Sequence, residues 1–186
     1  MHSSILQKPP KSKALALIID LQYDPKVDLN FTPFNPLGFS AAFRKVLDQI
    51  GLFKKLGIPF ALVRYGNSPF TPGLVAAAGQ VPIFSKAASS AFSSPQVSKF
   101  VTDLSPSVLV VSGYSVNVCI RSTIEDALKR NLSSWYSADT VFNEGTPNDL
   151  GSMQLFVSDL ARLRFFSGVL EHANLSQLEE SLVSLK

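Results

Sequence analysis

Apolar residues along this chain follow two alternating patterns. Short continuous runs alternate with longer stretches in which apolar side chains recur every three or four positions. The continuous runs Ala14–Asp20, Pro59–Arg64, Val81–Phe84, Val108–Gly113, Leu132–Ser137 and Phe165–Leu170 predict strands. Runs without polar alternation suit a sheet covered on both faces. Ser40 is placed to cap a first helix carrying Phe43, Val46, Leu47, Ile50, Phe53 and Leu56, stopped by Gly57. Ser94-Pro95 opens a second, with Val97, Phe100, Val101 and Leu104 as its buried stripe. A third follows Gly113, holds Cys119, and buries Ile120, Ile124, Ala127 and Leu128. Thr146-Pro147-Asn148-Asp149 leads a fourth, with Met153, Phe156, Val157, Leu160 and Leu163. Asn174 caps the last, with Leu175, Leu178 and Leu182. Leu21–Leu37, Tyr65–Gln80 and Ser85–Ser94 read as loops. Strands alternating with helices mean βαβ units and a mostly parallel α/β sheet.

Bulk properties narrow the class without naming a function. At 186 residues, 46% hydrophobic and 17% charged, the chain has the length and apolar content of a single packed domain. Residues 1–13, with Lys8, Lys11 and Lys13 beside Pro9 and Pro10, read as an N-terminal arm, and 14–186 as the domain. The net charge of +3 is scattered, and no basic stripe interleaved with aromatics points to nucleic acid. One cysteine fits a reducing compartment and excludes an internal disulfide. No run reaches membrane-spanning length and no signal-peptide core precedes the first strand, so the expected location is cytoplasmic. Two histidines, His2 and His172, are too few for a histidine metal site, and no metal or cofactor is expected.

Ligands of open α/β sheets bind beyond the carboxyl ends of the strands. Asp20, Lys86 and Cys119 fall at three such ends. Each has an ordinary explanation taken singly: a turn cap, a solvated lysine, a small buried hydrophobe. Together they supply the parts of a nucleophilic site. Asp20 can take the thiol proton and return it to a leaving group, and Lys86 can hold the carboxylate ionised and favour the thiolate. Backbone N–H groups at the turn before Cys119 can hold an oxyanion.

These residues lie in motifs that resemble the isochorismatase-like cysteine hydrolases. A strand ends in Asp20-Leu21-Gln22-Tyr23-Asp24, and Lys86 precedes a Ser-Ala-Phe loop at Ser90-Ala91-Phe92. Gly113-Tyr114-Ser115-Val116-Asn117-Val118-Cys119-Ile120 follows, with Thr123, Asp126 and Ala127 on the helix. The resemblance spans about residues 14–172. It implies a Rossmann-like three-layer α/β/α sandwich around a six-stranded sheet in the order 3-2-1-4-5-6. It also implies an Asp20–Lys86–Cys119 triad, a cis peptide between Tyr114 and Ser115, and an oxyanion hole from the amides of Ser115 and Cys119. Many members of the family form homo-oligomers, and nothing in the sequence fixes a number of subunits.

The departures bear on substrate. Nicotinamidases carry a metal-binding Asp and histidines between the second and third strands, and this chain has none there, which argues against that activity. The family's Thr-Asp pair before the cysteine is Val116-Asn117 here, and Pro25 stands where a Phe commonly follows the first motif. Tyr23, Phe34, Tyr65, Phe92 and Tyr114 are candidates for the substrate pocket; Trp135 is expected in the core and His172 at the surface. Three functions follow: a hydrolase of a small amide or carbamoyl compound through a thioester on Cys119, an isochorismatase using Asp20 as acid with Arg64 a candidate second cation, and a silent scaffold of the same fold.

Overall fold

The continuous apolar run Ala14–Ile19 forms the central strand β1, and all six of its side chains are buried. The computed structural model describes residues 13–22, 36–142 and 168–185, without the side chains of 36–42 and 142. In chain order β1 is followed by α1 (Pro36–Leu56), β2 (Phe60–Tyr65), α2 (Leu74–Ala78) and β3 (Ile83–Lys86). Then come α3 (Pro95–Leu104), β4 (Val108–Tyr114), α4 (Arg121–Leu128) and β5 (Ser133–Ser137). A two-residue strand β6 (Val141–Phe142), β7 (Val169–His172) and α5 (Leu175–Ser184) complete the described part.

The main strands are all parallel and lie in the order β3-β2-β1-β4-β5-β7, with β6 beside the end of β4. Leaving out β6, this is the 3-2-1-4-5-6 order of the isochorismatase-like α/β sandwich. Alternation along β1 divides its side chains between two cores. Leu15, Leu17 and Ile19 join Val97 and Val101 of α3 and Ile124 and Ala127 of α4. Ala16 and Ile18 join Val46, Ile50 and Phe53 of α1 and Leu178 and Leu182 of α5. Each of these larger aliphatic side chains stabilises the fold by about 1.5–3 kcal/mol on burial, so both faces of the strand are fixed.

Several boundaries differ from the sequence expectation. Helix α1 begins at Pro36, so Ser40 lies inside it rather than capping it; proline fits a first helical turn because its missing N–H has no intrahelical partner. Its other end is as expected, with Gly57 at φ +66° and Ile58 N–H returning to the Phe53 carbonyl. The predicted loop 65–80 contains α2, which packs Leu74 and Ala78 into the α1-side core. β3 is shifted by two residues from the predicted Val81–Phe84, because its register with β2 pairs Leu62 with Ile83 and Tyr65 with Lys86. Lys86 is therefore the last strand residue. β5 starts one residue late, at Ser133; of the predicted strand Phe165–Leu170, residues 165–167 lie outside the described residues, and the described strand Val169–His172 runs two residues past its expected end. The predicted helix after Thr146 and the N-terminal arm to residue 12 lie outside the described residues.

His172 is a correction: it is buried, not superficial. It sits beside the Trp135 ring, with Nε2 2.9 Å from Ser181 Oγ and Nδ1 3.3 Å from the Tyr136 carbonyl. A lone polar residue following an apolar run gave no sign that α5 would fold back over it. Trp135 packs against the α1-side core.

Candidate active site

The ends of β1, β3 and β4 bring Asp20, Lys86 and Cys119 together. β1 pairs with β2 as far as Ile19–Val63, and the Asp20 N–H then donates to the Val63 carbonyl at 2.8 Å. Asp20 adopts φ +53°, a left-handed conformation that Asp tolerates better than most side chains. The next strand over, β4, carries Gly113 opposite Ile19. Gly113 has φ +111°, and a Cβ there would lie 2.1 Å from the Ile19 carbonyl oxygen. Only glycine lets the two strands close at this point, immediately before Asp20.

Lys86 joins the three elements. Its Nζ lies 2.8 Å from Asp20 Oδ2, and it donates to Cys119 Sγ at 3.3 Å and to the Ala88 carbonyl at 3.0 Å. An ammonium has three donors, and here all three are spent. The Tyr65 ring covers the same nitrogen, 5.0 Å from its centroid. The side chain of Lys86 is 0% exposed and that of Asp20 is 8% exposed. Asp20 Oδ1 is also buried and has no hydrogen bond of regular geometry. It is an acceptor that none of the described residues satisfies.

Burial pushes the Asp20 carboxyl above the usual range, against the pull of Lys86, the Cys119 thiol and the Tyr65 backbone. Burial also pushes the Cys119 thiol up, and the Asp20 carboxylate adds to this while Lys86 opposes it. A thiol raised in this way rests protonated, so attack through it needs a base at hand.

Cys119 is reached through a turn wider than an α-helical one. The Tyr114–Ser115 peptide is cis, and the N–H groups of Ile120 and Arg121 return five residues, to the carbonyls of Ser115 and Val116. The α-helix begins only at Arg121, two residues after the cysteine. Thr123 fixes this geometry: its hydroxyl donates to the Cys119 carbonyl at 2.7 Å and accepts from the Ala91 N–H at 2.9 Å. One buried side chain thereby ties the cysteine turn to the loop that follows Lys86. Val116, where the family has a hydroxyl, is buried in the core, and Asn117 is exposed.

The other pocket candidates divide. Tyr65 is 54% exposed beside Lys86. Phe92 is buried in the α3–α4 core under the Arg130 guanidinium, 4.4 Å from its ring centroid. Tyr114 packs, half-buried, against the α1-side core. Tyr23 and Phe34 lie outside the described residues. Arg64 pairs in register with Ser85, one position off the Tyr65–Lys86 pair, and its Nε donates to Ser85 Oγ at 3.1 Å. It therefore faces the side of the sheet away from Lys86. Gln22 and Thr123 stand in the sequence motifs without a role that pattern alone assigns; hydrogen bonds to backbone far away in the chain leave no periodic signal.

The family model for the isochorismatase domain matches residues 14–148, the stretch that carries all three strand ends. The chain belongs to the isochorismatase family. Solved structures with this fold include an isochorismatase-family protein from Burkholderia thailandensis, with TM-score 0.71 and 18% identity over 92% of this chain and 96% of that one. The MAR1 ribonuclease of Caenorhabditis elegans aligns with TM-score 0.70 and 17% identity, over 94% and 90% of the two chains. YcaC of Pseudomonas aeruginosa, solved with hexane-2,5-diol and covalent acrylamide, aligns with TM-score 0.68 and 18% identity, over 98% and 84%. No curated protein matches the chain. At these identities the likeness to solved structures is one of fold, and the fold is that of the isochorismatase-family hydrolases. Among the described residues no helix is long and apolar enough to cross a membrane.

Proposed function

We propose that this isochorismatase-family protein is a cysteine hydrolase of a small amide or carbamoyl compound, with Asp20, Lys86 and Cys119 as its triad. The observation that carries the reading is the single ammonium of Lys86, in contact with both Asp20 Oδ2 and Cys119 Sγ. In this mechanism Asp20 takes the thiol proton as sulfur attacks the carbonyl carbon. The carbonyl electron pair moves to oxygen, and the amides of Ser115 and Cys119 stabilise that charge. Collapse expels the amine, which leaves with the proton from Asp20, and a thioester remains on Cys119. Asp20 then deprotonates the water that cleaves it, and the thiol is restored. The covalent acrylamide described for YcaC of Pseudomonas aeruginosa is in keeping with a nucleophile in this fold. A thiol chemistry of this kind suits a reducing compartment such as the cytoplasm.

Isochorismate hydrolysis is a second reading, and burial of Asp20 favours it, because a carboxyl raised in pKa is a better general acid. Against it, the substrate is a dianion, while the donors of Lys86 are all committed and Arg64 faces the other side of the sheet. Turnover of an amide panel, read as ammonia release beside pyruvate release from isochorismate, separates the two. Under the amide reading Cys119→Ala abolishes turnover with the fold intact, and rapid quench traps substrate mass on Cys119. Full activity in that variant overturns the covalent mechanism.

A further inference from the structure

We propose that Gln22 is a positioning residue of this site, acting through Tyr65 on Lys86. The inference rests on the cysteine-hydrolase reading and extends it to a residue with no chemistry of its own. β1 ends at Ile19, so beyond Val63 the next strand loses its neighbour on that side. The Gln22 side chain takes that neighbour's place. Its Oε1 accepts from the Tyr65 N–H at 2.6 Å, and its Nε2 donates to the carbonyls of Tyr65 at 2.9 Å and Ser68 at 3.0 Å. A primary amide matches a peptide group donor for acceptor, which a carboxylate or a hydroxyl cannot do.

Gln22 is itself anchored. It bridges to Phe70 in antiparallel fashion, and the Thr71 N–H donates to the Leu21 carbonyl at 2.8 Å. On the opposite edge of β2, the Gly66 N–H donates to the Lys86 carbonyl at 2.9 Å. The backbone of Tyr65 is therefore held between Gln22 and β3, and its ring lies over the ammonium beside its three polar contacts. Without that ring, water reaches the ammonium, its charge is screened, and its hold on Asp20 and Cys119 weakens.

Cys119 is the only cysteine, so iodoacetamide alkylation followed by mass reads this site in the full chain without knowledge of the substrate. The ring lies against the ammonium, so Gln22→Ala and Tyr65→Ala are expected to slow alkylation about tenfold at neutral pH and to move its profile to higher pH, the weakened Lys86 contact outweighing any relief of thiol burial. Tyr65→Phe keeps the ring and should keep the parent profile. The double variant Gln22→Ala/Tyr65→Ala should be no slower than the slower single, since both act through one ring. A parent profile in Gln22→Ala, or effects that multiply in the double variant, overturns the inference. If Gln22→Ala fails to fold by circular dichroism, Gln22→Met decides in its place, because it keeps the side-chain length and loses every hydrogen bond to Tyr65 and Ser68; slowed alkylation supports the inference and a parent profile overturns it. A parent Cys119 that stays unreactive throughout overturns the nucleophile reading and this inference with it; a reactive parent with an indifferent Gln22→Ala overturns only the latter.

Discussion

Gly113→Ala is the substitution the structure judges most severely for the least chemical change. The added Cβ would sit 2.1 Å from the Ile19 carbonyl oxygen and 2.9 Å from the Ile19 nitrogen. Restoring ordinary contact requires the strands to part by more than 1 Å, and both partners are backbone, so no rotamer change relieves it. The φ of +111° adds its own penalty, since a residue with a Cβ held in such a conformation costs about 1–3 kcal/mol. Together the two effects place the loss near 4–5 kcal/mol, the exceptional end of single substitutions. Against a typical domain stability of about 5–15 kcal/mol, the variant should still fold but melt roughly 10 °C lower. Urea unfolding followed by circular dichroism measures the loss. Because Ile19 precedes Asp20, the same displacement should pull the carboxylate from Lys86 and change the alkylation of Cys119. A loss below about 1 kcal/mol would mean instead that β1 and β4 separate freely at the site and that the close approach does not require glycine.

Other perturbations test the buried ion pair, the threonine bridge and the histidine. Lys86→Met leaves a buried carboxylate without its cation, which costs about 3–5 kcal/mol at neutral pH. With the folded-state pKa of Asp20 raised above 3.8, the native state binds the extra proton, so the deficit should shrink as pH falls through that raised pKa; urea midpoints at several pH values check it. A deficit that stays constant with pH would rule out an uncompensated carboxylate as its cause. Thr123→Val keeps the shape but leaves the Ala91 N–H without its acceptor and the Cys119 carbonyl without its donor, costing about 1–3 kcal/mol, whereas Thr123→Ser should recover most of it in the same assay. Burial lowers the His172 pKa below 6.5, so the unfolded chain gains a proton first and stability should decline as pH falls from 6.5 towards the folded value. His172→Phe removes that acid sensitivity, and thermal melts between about pH 7 and 5 should show a flatter profile than the parent.

The layers of this protein follow from its apolar pattern alone. Continuous apolar runs can be stable only between two covering layers, so Ala14–Ile19 and Val108–Gly113 were bound to be inner strands, and the three-to-four periodicity of 95–104 and 175–184 marked the helices that cover them. It also marked Asp20, Lys86 and Cys119, because polar or reactive residues at the ends of apolar runs break the pattern. What it could not determine were interactions with no local period. Register moved β3 by two residues and made Lys86 its last member, a choice set by hydrogen bonding to β2 rather than by β3's own composition. The burial of His172 depended on α5 folding back, and the roles of Gln22 and Thr123 depended on which distant backbone groups were left unpaired. A local pattern records which face of an element is apolar. Only the assembled chain shows which donors and acceptors still need partners, and the ammonium of Lys86 finds its own in the Asp20 carboxylate, the Cys119 thiol and the Ala88 carbonyl.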